Sequence, residues 1–180
     1  MTRFGTSMWM LVRQLGAIAA LPGLVAVGVP LWLARENHVV LTAPADLTTA
    51  LVQVAGTGLL AIGFVLFSAS LYYFWSRGRG TLAPWDPPRR FVVDGPYRFV
   101  RNPMISGVIF VLLGEAAVLR SWPHAVWAGL VLLINVLYIP AVEEPMLAAR
   151  FGESYLQYKR GVRRFLPRLS PWNPDALREI

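Results

Sequence analysis

Four long apolar stretches limit what this chain of 180 residues can form. A helix needs about 20 residues to cross a hydrocarbon layer roughly 30 Å thick, and each stretch is near that length. Unpaired backbone groups are costly in lipid, so such segments favour helices. The stretches cover residues 8–33, 51–75, 103–119 and 126–142. The sequence therefore predicts an all-α, integral membrane helical bundle with about four transmembrane helices.

The composition supports a membrane protein, since 56% of the residues are hydrophobic and only 15% are charged. The net charge is +7, and 16 of the 17 basic residues are Arg. In a membrane protein this excess favours contacts with anionic headgroups and argues against a nucleic-acid partner. The chain contains no Cys, which excludes disulfides, thiolate nucleophiles and Cys metal sites.

The basic residues also predict how the chain lies in the membrane. Six Arg fall in the hydrophilic segment 76–101, and several more lie in the C-terminal tail. Cytoplasmic loops carry an excess of Lys and Arg, so we expect both regions and both termini in the cytoplasm, at the inner (plasma) membrane. The two histidines then fall on the opposite side, and we predict no metal site near the cytoplasmic face. A signal peptide cleaved near residues 17–20 is the alternative for the first stretch.

The second apolar stretch contains several small residues, which are typical of membrane helices that pack closely together. These residues are Gly56, Gly58, Gly63, Ser68 and Ser70. We interpret Gly56-Thr57-Gly58 as part of this packing surface and not as a cofactor motif.

Asn102-Pro103 predicts the start of the third helix, because Asn is a favoured N-cap and Pro a favoured first helical residue. The segment before it is basic and aromatic. We therefore expect Tyr97, Arg98 and Arg101 where water meets lipid, at the mouth of this helix.

Glu143-Glu144-Pro145 follows the fourth stretch. The residue before Pro disfavours the α conformation, so the membrane helix should end or bend here. An amphipathic interfacial helix is predicted to follow, weakened or divided at Gly152. Its inner face would carry Glu144, Leu147, Phe151, Tyr155 and Tyr158, and its opposite side Arg150, Glu153, Lys159 and Arg160.

The cytoplasmic face thus collects arginines, tyrosines and two carboxylates. Headgroup contacts would explain the Arg and Tyr side chains, but anionic lipid repels Glu143 and Glu144, and adjacent carboxylates raise each other's pKa. We expect a cationic partner near them, either an Arg of segment 76–101 or a positively charged ligand. Within the membrane stretches, Glu115 and Asn135 are either functional or joined by a buried hydrogen bond between the third and fourth helices.

Two blocks of the sequence resemble the isoprenylcysteine carboxyl methyltransferase family and its relatives, the phospholipid N-methyltransferases. The first is Gly95-Pro-Tyr-Arg-Phe-Val-Arg-Asn-Pro-Met-Ile-Ser-Gly107. The second is Glu143-Glu144-Pro-Met-Leu, then Phe151-Gly-Glu-Ser-Tyr155-Leu-Gln-Tyr158, then Val162-Arg-Arg-Phe-Leu-Pro167. The resemblance covers about half of the chain and divides it into N-terminal transmembrane helices (1–75) and a methyltransferase core (76–180).

The resemblance implies S-adenosylmethionine, bound on the cytoplasmic side between the helical hairpin and the C-terminal helix. The family usually has His and Tyr where this chain has Asn102 and Ile105, and Asn cannot act as an acid or base near neutral pH. The residues predicted to bind the cofactor are Tyr97, Arg98, Arg101, Asn102, Pro103, Gly107, Glu143, Glu144, Tyr155 and Tyr158. The residues predicted to act in catalysis are Glu144, Arg163 and Arg164, with the arginines pairing with an anionic group of the acceptor.

The resemblance further implies a membrane methyltransferase whose acceptor is a lipid or another lipophilic molecule. A carboxyl group of isoprenylcysteine type is the expected acceptor, because a carboxylate needs no base before it attacks. A phospholipid N-methyltransferase is the first alternative, although its amine would have to lose a proton. A non-enzymatic membrane protein that retains the scaffold is the second.

Overall fold

A computed structural model describes residue 16 and residues 19–78 and 91–173 of the chain. This part is helical and contains no β-strand. Its α-helices are α1 (Val29–Glu36), α2 (Leu47–Gly78), α3 (Pro103–Leu119), α4 (Trp122–Tyr138) and α5 (Glu144–Gly161). A π-helical segment, Ala19–Gly28, leads directly into α1, and another, Ile139–Glu143, joins α4 to α5. A short 3-10 turn, Gly95–Arg98, precedes α3.

Within the described residues, two helices are long and apolar enough to cross a membrane. One is α2, and the other is the helical segment Trp122–Gly161 that comprises α4, the π-helical turn and α5. Charged side chains in the second helix begin at Glu143, so residues 122–142 form its spanning part. α3 is apolar but has only 17 residues. The predicted total of four spans is therefore not confirmed, and the first predicted span, residues 8–33, begins outside the described residues.

Glycines set the close contact between α2 and α3. The two helices run antiparallel, with Gly56 near Gly114 and Gly63 near Gly107. A Cβ atom built at Gly63 would lie 2.7 Å from the carbonyl oxygen of Gly107, so backbone meets backbone without a side chain between. This confirms the predicted packing role for Gly56 and Gly63. Gly58 lies elsewhere on α2, with no described atom within 4 Å of its Cβ position.

Gly63→Ala is expected to lower stability by about 1–3 kcal/mol, because a methyl group at this contact forces the two helices apart. Gly58→Ala is the matched control on the same helix, since its methyl group meets open space. Thermal unfolding of both variants in mild detergent checks the expectation. Equal unfolding temperatures for the two variants would contradict the packing role.

The hairpin between α3 and α4 is anchored by a buried histidine. His124 is 2% exposed, and its Nε2 lies 3.1 Å from the carbonyl oxygen of Pro30 at the start of α1. A carbonyl can only accept, so Nε2 carries the proton in this contact. Nδ1 lies 2.7 Å from the Ser121 hydroxyl. This histidine therefore holds the first turn of α4 against α1.

The proposed hydrogen bond between Glu115 and Asn135 is not formed. The amide of Asn135 donates to the carbonyl oxygen of Val131 in its own helix, at 2.8 Å. Oε2 of Glu115 is buried and has no hydrogen-bond partner within the described part of the chain.

The helix continues through Glu143-Glu144-Pro145, so the expected end of the helix at this point is wrong, while the alternative of a bend stays a prediction. Glu144 keeps helical angles (φ −62°, ψ −42°) although Pro follows it. The π-helical turn immediately before it accounts for this, because a wider turn relieves the backbone conflict around a proline. The break comes later, at Gly152 (φ 55°, ψ −134°), which divides α5 as the sequence predicted.

Candidate functional site

The carboxylate of Glu144 lies at the centre of a cluster of charges and is only 3% exposed. Its Oε1 accepts from Nη1 of Arg101 at 2.9 Å and from Nε of Arg164 at 2.7 Å. Its Oε2 lies 2.7 Å from Nζ of Lys159. Glu144 therefore joins the start of α5 to the residues just before α3 and to those just after α5. Glu144, Arg101, Lys159 and Arg164 are together called the Glu144 cluster below.

The cations keep this carboxylate ionised. Burial alone would raise the pKa of Glu144, but the hydrogen bonds from Arg164 and Lys159 hold it at about 2. The hydrogen bond to Glu144 in turn raises the pKa of Arg164. The sequence-based prediction assigned Lys159 to the side of α5 opposite to Glu144, so it did not include this contact.

A strap of residues 162–172 follows α5 and lies along the segment that precedes α3. The strap and this segment are joined by main-chain hydrogen bonds of 2.8–3.2 Å. The N–H groups of Arg101 and Asn102 donate to the carbonyl oxygens of Arg163 and Arg164 in the strap. In the other direction, the N–H group of Arg168 donates to Phe99, and that of Trp172 donates to Arg98. The strap thereby fixes the position of Arg164 and closes one side of the Glu144 cluster.

Trp172 anchors the far end of the strap. Its carbonyl oxygen accepts from Nε of Arg98 at 2.7 Å. Its ring packs edge-on against Tyr158, with ring centroids 5.4 Å apart. The ring also fills the space beside Gly161, where a Cβ atom would overlap it. These contacts tie the strap to α5 as well as to the segment before α3.

The tyrosines near the cluster serve as neutral hydrogen-bonding groups. The Tyr158 hydroxyl donates to the carbonyl oxygen of Tyr97 at 2.6 Å, and Nη1 of Arg101 donates to the Tyr155 hydroxyl at 3.5 Å. Burial raises the pKa of all three phenols, with the nearby Glu143 adding to the effect at Tyr97. None of the three is therefore a ready source of phenolate near neutral pH.

One group within the cluster and one beside it have unused hydrogen-bonding capacity. The Arg101 side chain is only 10% exposed. Its Nε is buried and has no hydrogen-bond partner in the described part of the chain. Glu143 is half-buried and forms no ion pair with another described residue. Burial, followed by the charge of Glu144, raises the pKa of Glu143. A buried donor without an acceptor is costly, so Arg101 is suited to an anionic ligand.

Most of the predicted site residues come together around the Glu144 cluster. Asn102 is the N-cap residue of α3, as predicted, but its amide reaches the carbonyl oxygen of Arg164 at 3.5 Å instead of capping the helix. Pro103 is the buried first residue of α3. Arg163 contacts the segment before α3 only through its carbonyl oxygen, which accepts from the N–H group of Arg101, and the residue is exposed. Gly107 is not part of the cluster, because it packs against α2 beside Phe67.

Sequence patterns did not identify Lys159 or Trp172 as members of this region. The helical period placed Lys159 on the exposed side of α5, but the break at Gly152 changes the direction of the second half of the helix. Trp172 lies in a tail without periodicity. An isolated aromatic residue in a polar tail was the sequence feature that could have indicated that Trp172 packs against the rest of the protein.

The sequence of the chain matches a known protein family. Residues 51–154, more than half of the chain, match the family model described as phospholipid methyltransferase. The chain belongs to the phospholipid methyltransferase family. The matched range holds most of α2, all of α3 and α4, and Glu144, whereas Lys159, Arg164 and the strap follow it. No curated protein matches the chain, and no solved structure matches it.

Membership of the phospholipid methyltransferase family makes the chain a membrane methyltransferase in general terms. Methyltransferases of this type generally use S-adenosylmethionine. Two helices able to cross a membrane agree with this family. The predicted relation to the phospholipid methyltransferases is thus confirmed, while the isoprenylcysteine branch stays a prediction.

Proposed function

We propose that the chain transfers a methyl group from S-adenosylmethionine to a lipophilic acceptor beside the Glu144 cluster. One observation carries this proposal. Nε of Arg101 is a buried donor without an acceptor in the described part of the chain, two residues before the first residue of α3. Free N–H groups at a helix N-terminus favour an anion, and a planar guanidinium favours a carboxylate.

The donor set fits the charges of S-adenosylmethionine. Its carboxylate suits Arg101, and its ammonium group or ribose hydroxyls suit Glu143, which has free acceptor capacity. Both oxygens of Glu144 already accept from cations, so we assign Glu144 to holding Arg101 and Arg164 in place. When bound, this cofactor supplies an electrophilic methyl group. The protein supplies orientation and exclusion of water, which are large contributions to such transfers.

The charge balance favours an anionic acceptor of the isoprenylcysteine carboxyl type. Cations outnumber carboxylates around the site, where Glu143 and Glu144 are accompanied by Arg98, Arg101, Lys159, Arg163 and Arg164. Such a surplus attracts a carboxylate and repels a protonated amine. A carboxylate acceptor also needs no base. The exposed side chain of Arg163 is available to pair with it, and we propose that this face lies in the cytoplasm because of the Arg excess.

A phospholipid amine is the second candidate acceptor, and Glu143 is the observation that favours it. An amine must lose a proton before it can attack. The raised pKa of Glu143, caused by burial and by Glu144, brings its carboxyl group nearer to the range in which it accepts a proton at neutral pH. The family description also favours this acceptor.

We expect purified protein to incorporate deuterated methyl groups from labelled S-adenosylmethionine into a lipophilic product. A prenylcysteine analogue and phosphatidylethanolamine are offered in separate reactions, and mass spectrometry identifies the product. A methyl ester that alkali removes supports the carboxyl acceptor, whereas an alkali-stable N-methyl product supports the amine. Failure of radiolabelled S-adenosylmethionine to bind the protein would overturn the enzymatic proposal and favour a non-enzymatic scaffold.

A further inference from the structure

The strap combines exposed leucines with basic residues. Leu166 is 64% exposed and Leu169 is fully exposed, so most of both side chains lies outside the core of the protein. Residues 154–173 include one Lys and four Arg but no Asp or Glu. Two of these cations, Arg160 and Arg163, are exposed. Apolar side chains beside cations are typical of segments that lie on an anionic bilayer.

The inner side of the strap packs against the apolar helices. Phe165 and Pro167, on either side of Leu166, line a groove that they share with Leu66 of α2 and Phe110 of α3. Phe110 lies seven residues after the start of α3, which is about 10 Å along the helix axis. The strap therefore lies along the side of these helices and not only at their ends.

Lipid is expected to contact α2 at the same level. Phe64 and Val65, the residues before Leu66, are both exposed on a helix that is long and apolar enough to cross a membrane. Irregular backbone is tolerated next to lipid only where its polar groups are paired. Several of these groups in the strap are paired, through the main-chain hydrogen bonds to the segment before α3. The strap is thus suited to lie against a bilayer surface.

We propose that the strap is a membrane anchor, in which Leu166 and Leu169 enter the adjacent leaflet and Arg160 and Arg163 bind the headgroups of anionic phospholipids. Charge complementarity selects anionic lipid, because the strap region carries cations and no carboxylate. The position of the strap along apolar helices favours a bilayer over a soluble acidic protein. Since Arg164 belongs to both the strap and the cluster, anchoring also holds the cluster closed. The inference does not depend on methyl transfer.

A fluorescent label on the strap tests this anchor. The chain contains no Cys, so each cysteine variant carries one labelling site. Leu169→Cys is labelled with a polar, environment-sensitive fluorophore in nanodiscs of phosphatidylcholine, with or without phosphatidylglycerol, and nitroxides on the lipid acyl chains quench a label that enters the bilayer. Leu137→Cys, on the exposed side of the spanning helix α4, reports bulk lipid, and Glu36→Cys, at the exposed end of α1, reports water.

With phosphatidylglycerol present, we expect quenching of the label at position 169 to approach that at position 137 and to exceed that at position 36 several-fold. In pure phosphatidylcholine this quenching should fall several-fold. Quenching no greater than at position 36 would overturn insertion of the strap. Equal quenching in the two lipid mixtures would overturn the selection of anionic headgroups.

Hydrogen exchange of the wild-type protein provides a second measurement that is free of any effect of the label. The main-chain N–H groups of Arg168 and Trp172 join the strap to the segment before α3. They should exchange several-fold more slowly when phosphatidylglycerol is present, and unchanged exchange would contradict anchoring by anionic lipid. Neither measurement uses a methyl donor, so failure of the anchor and failure of the proposed function are distinguishable.

Discussion

Glu144→Gln is expected to lower the free energy of unfolding by about 3–5 kcal/mol, which is the usual loss when one partner of a buried ion pair is removed. The carboxylate is 3% exposed and Arg101 is 10% exposed, so the neutral variant leaves a buried cation without its partner. Lys159 and Arg164 are more exposed and can turn toward water. The loss therefore comes mainly from Arg101 and is measured by thermal or denaturant unfolding in mild detergent.

Glu153→Gln is the matched control for this prediction. Glu153 lies on the same helix and pairs with Arg160 at 3.5 Å, but the two side chains are 49% and 74% exposed. Exposed pairs contribute up to about 1 kcal/mol, so this variant should unfold almost as the wild type does. Equal losses for the two variants would show that the Glu144 cluster contributes no more than a surface ion pair.

The Glu144 cluster should also make the stability of the protein depend on pH in the acid range. The pKa of Glu144 is lowered from an ordinary 4.5 to about 2, so its contribution is fully present above pH 4.5. That contribution is lost as the pH falls from 4.5 toward 2, because the unfolded chain takes up the proton first. The wild type should therefore lose more stability than Glu144→Gln does over this range.

Arg101→Lys is expected to weaken binding of S-adenosylmethionine about ten- to hundredfold, the effect of losing a charge-assisted hydrogen bond of roughly 1.5–3 kcal/mol. Lysine keeps a positive charge for Glu144, but it lacks the Nε donor that is unpaired in the structure. Equilibrium binding of radiolabelled S-adenosylmethionine measures this effect on the protein in detergent or nanodiscs.

Arg164→Lys separates the loss of this donor from damage to the ion pairs. Arg164 also contacts Oε1 of Glu144, but its Nε is already used in that contact. Both variants keep a positive charge beside Glu144, while cofactor affinity should fall further in Arg101→Lys. A similar affinity in both variants would remove Nε of Arg101 from the cofactor site.

Local chemistry was sufficient to predict several elements of this protein. The bounds of α3 follow from a Pro at its first position and from an apolar run that ends at Arg120. The inner face of α5 follows from a period that places Glu144, Tyr155 and Tyr158 on its buried side. The need for a cation near the paired carboxylates follows from charge repulsion. Each of these features depends on residues within a few turns of one another.

Only the tertiary structure decided which cations meet Glu144 and which donor remains free. Arg101 lies 43 positions before Glu144 and Arg164 lies 20 positions after it, so no local period relates them. Their meeting depends on the hairpin, on the break at Gly152 and on the strap. The carboxylate expected to face the cofactor is consequently surrounded by three cations. Long-range packing determines the partners of a buried charge, whereas sequence patterns determine only which residues are buried.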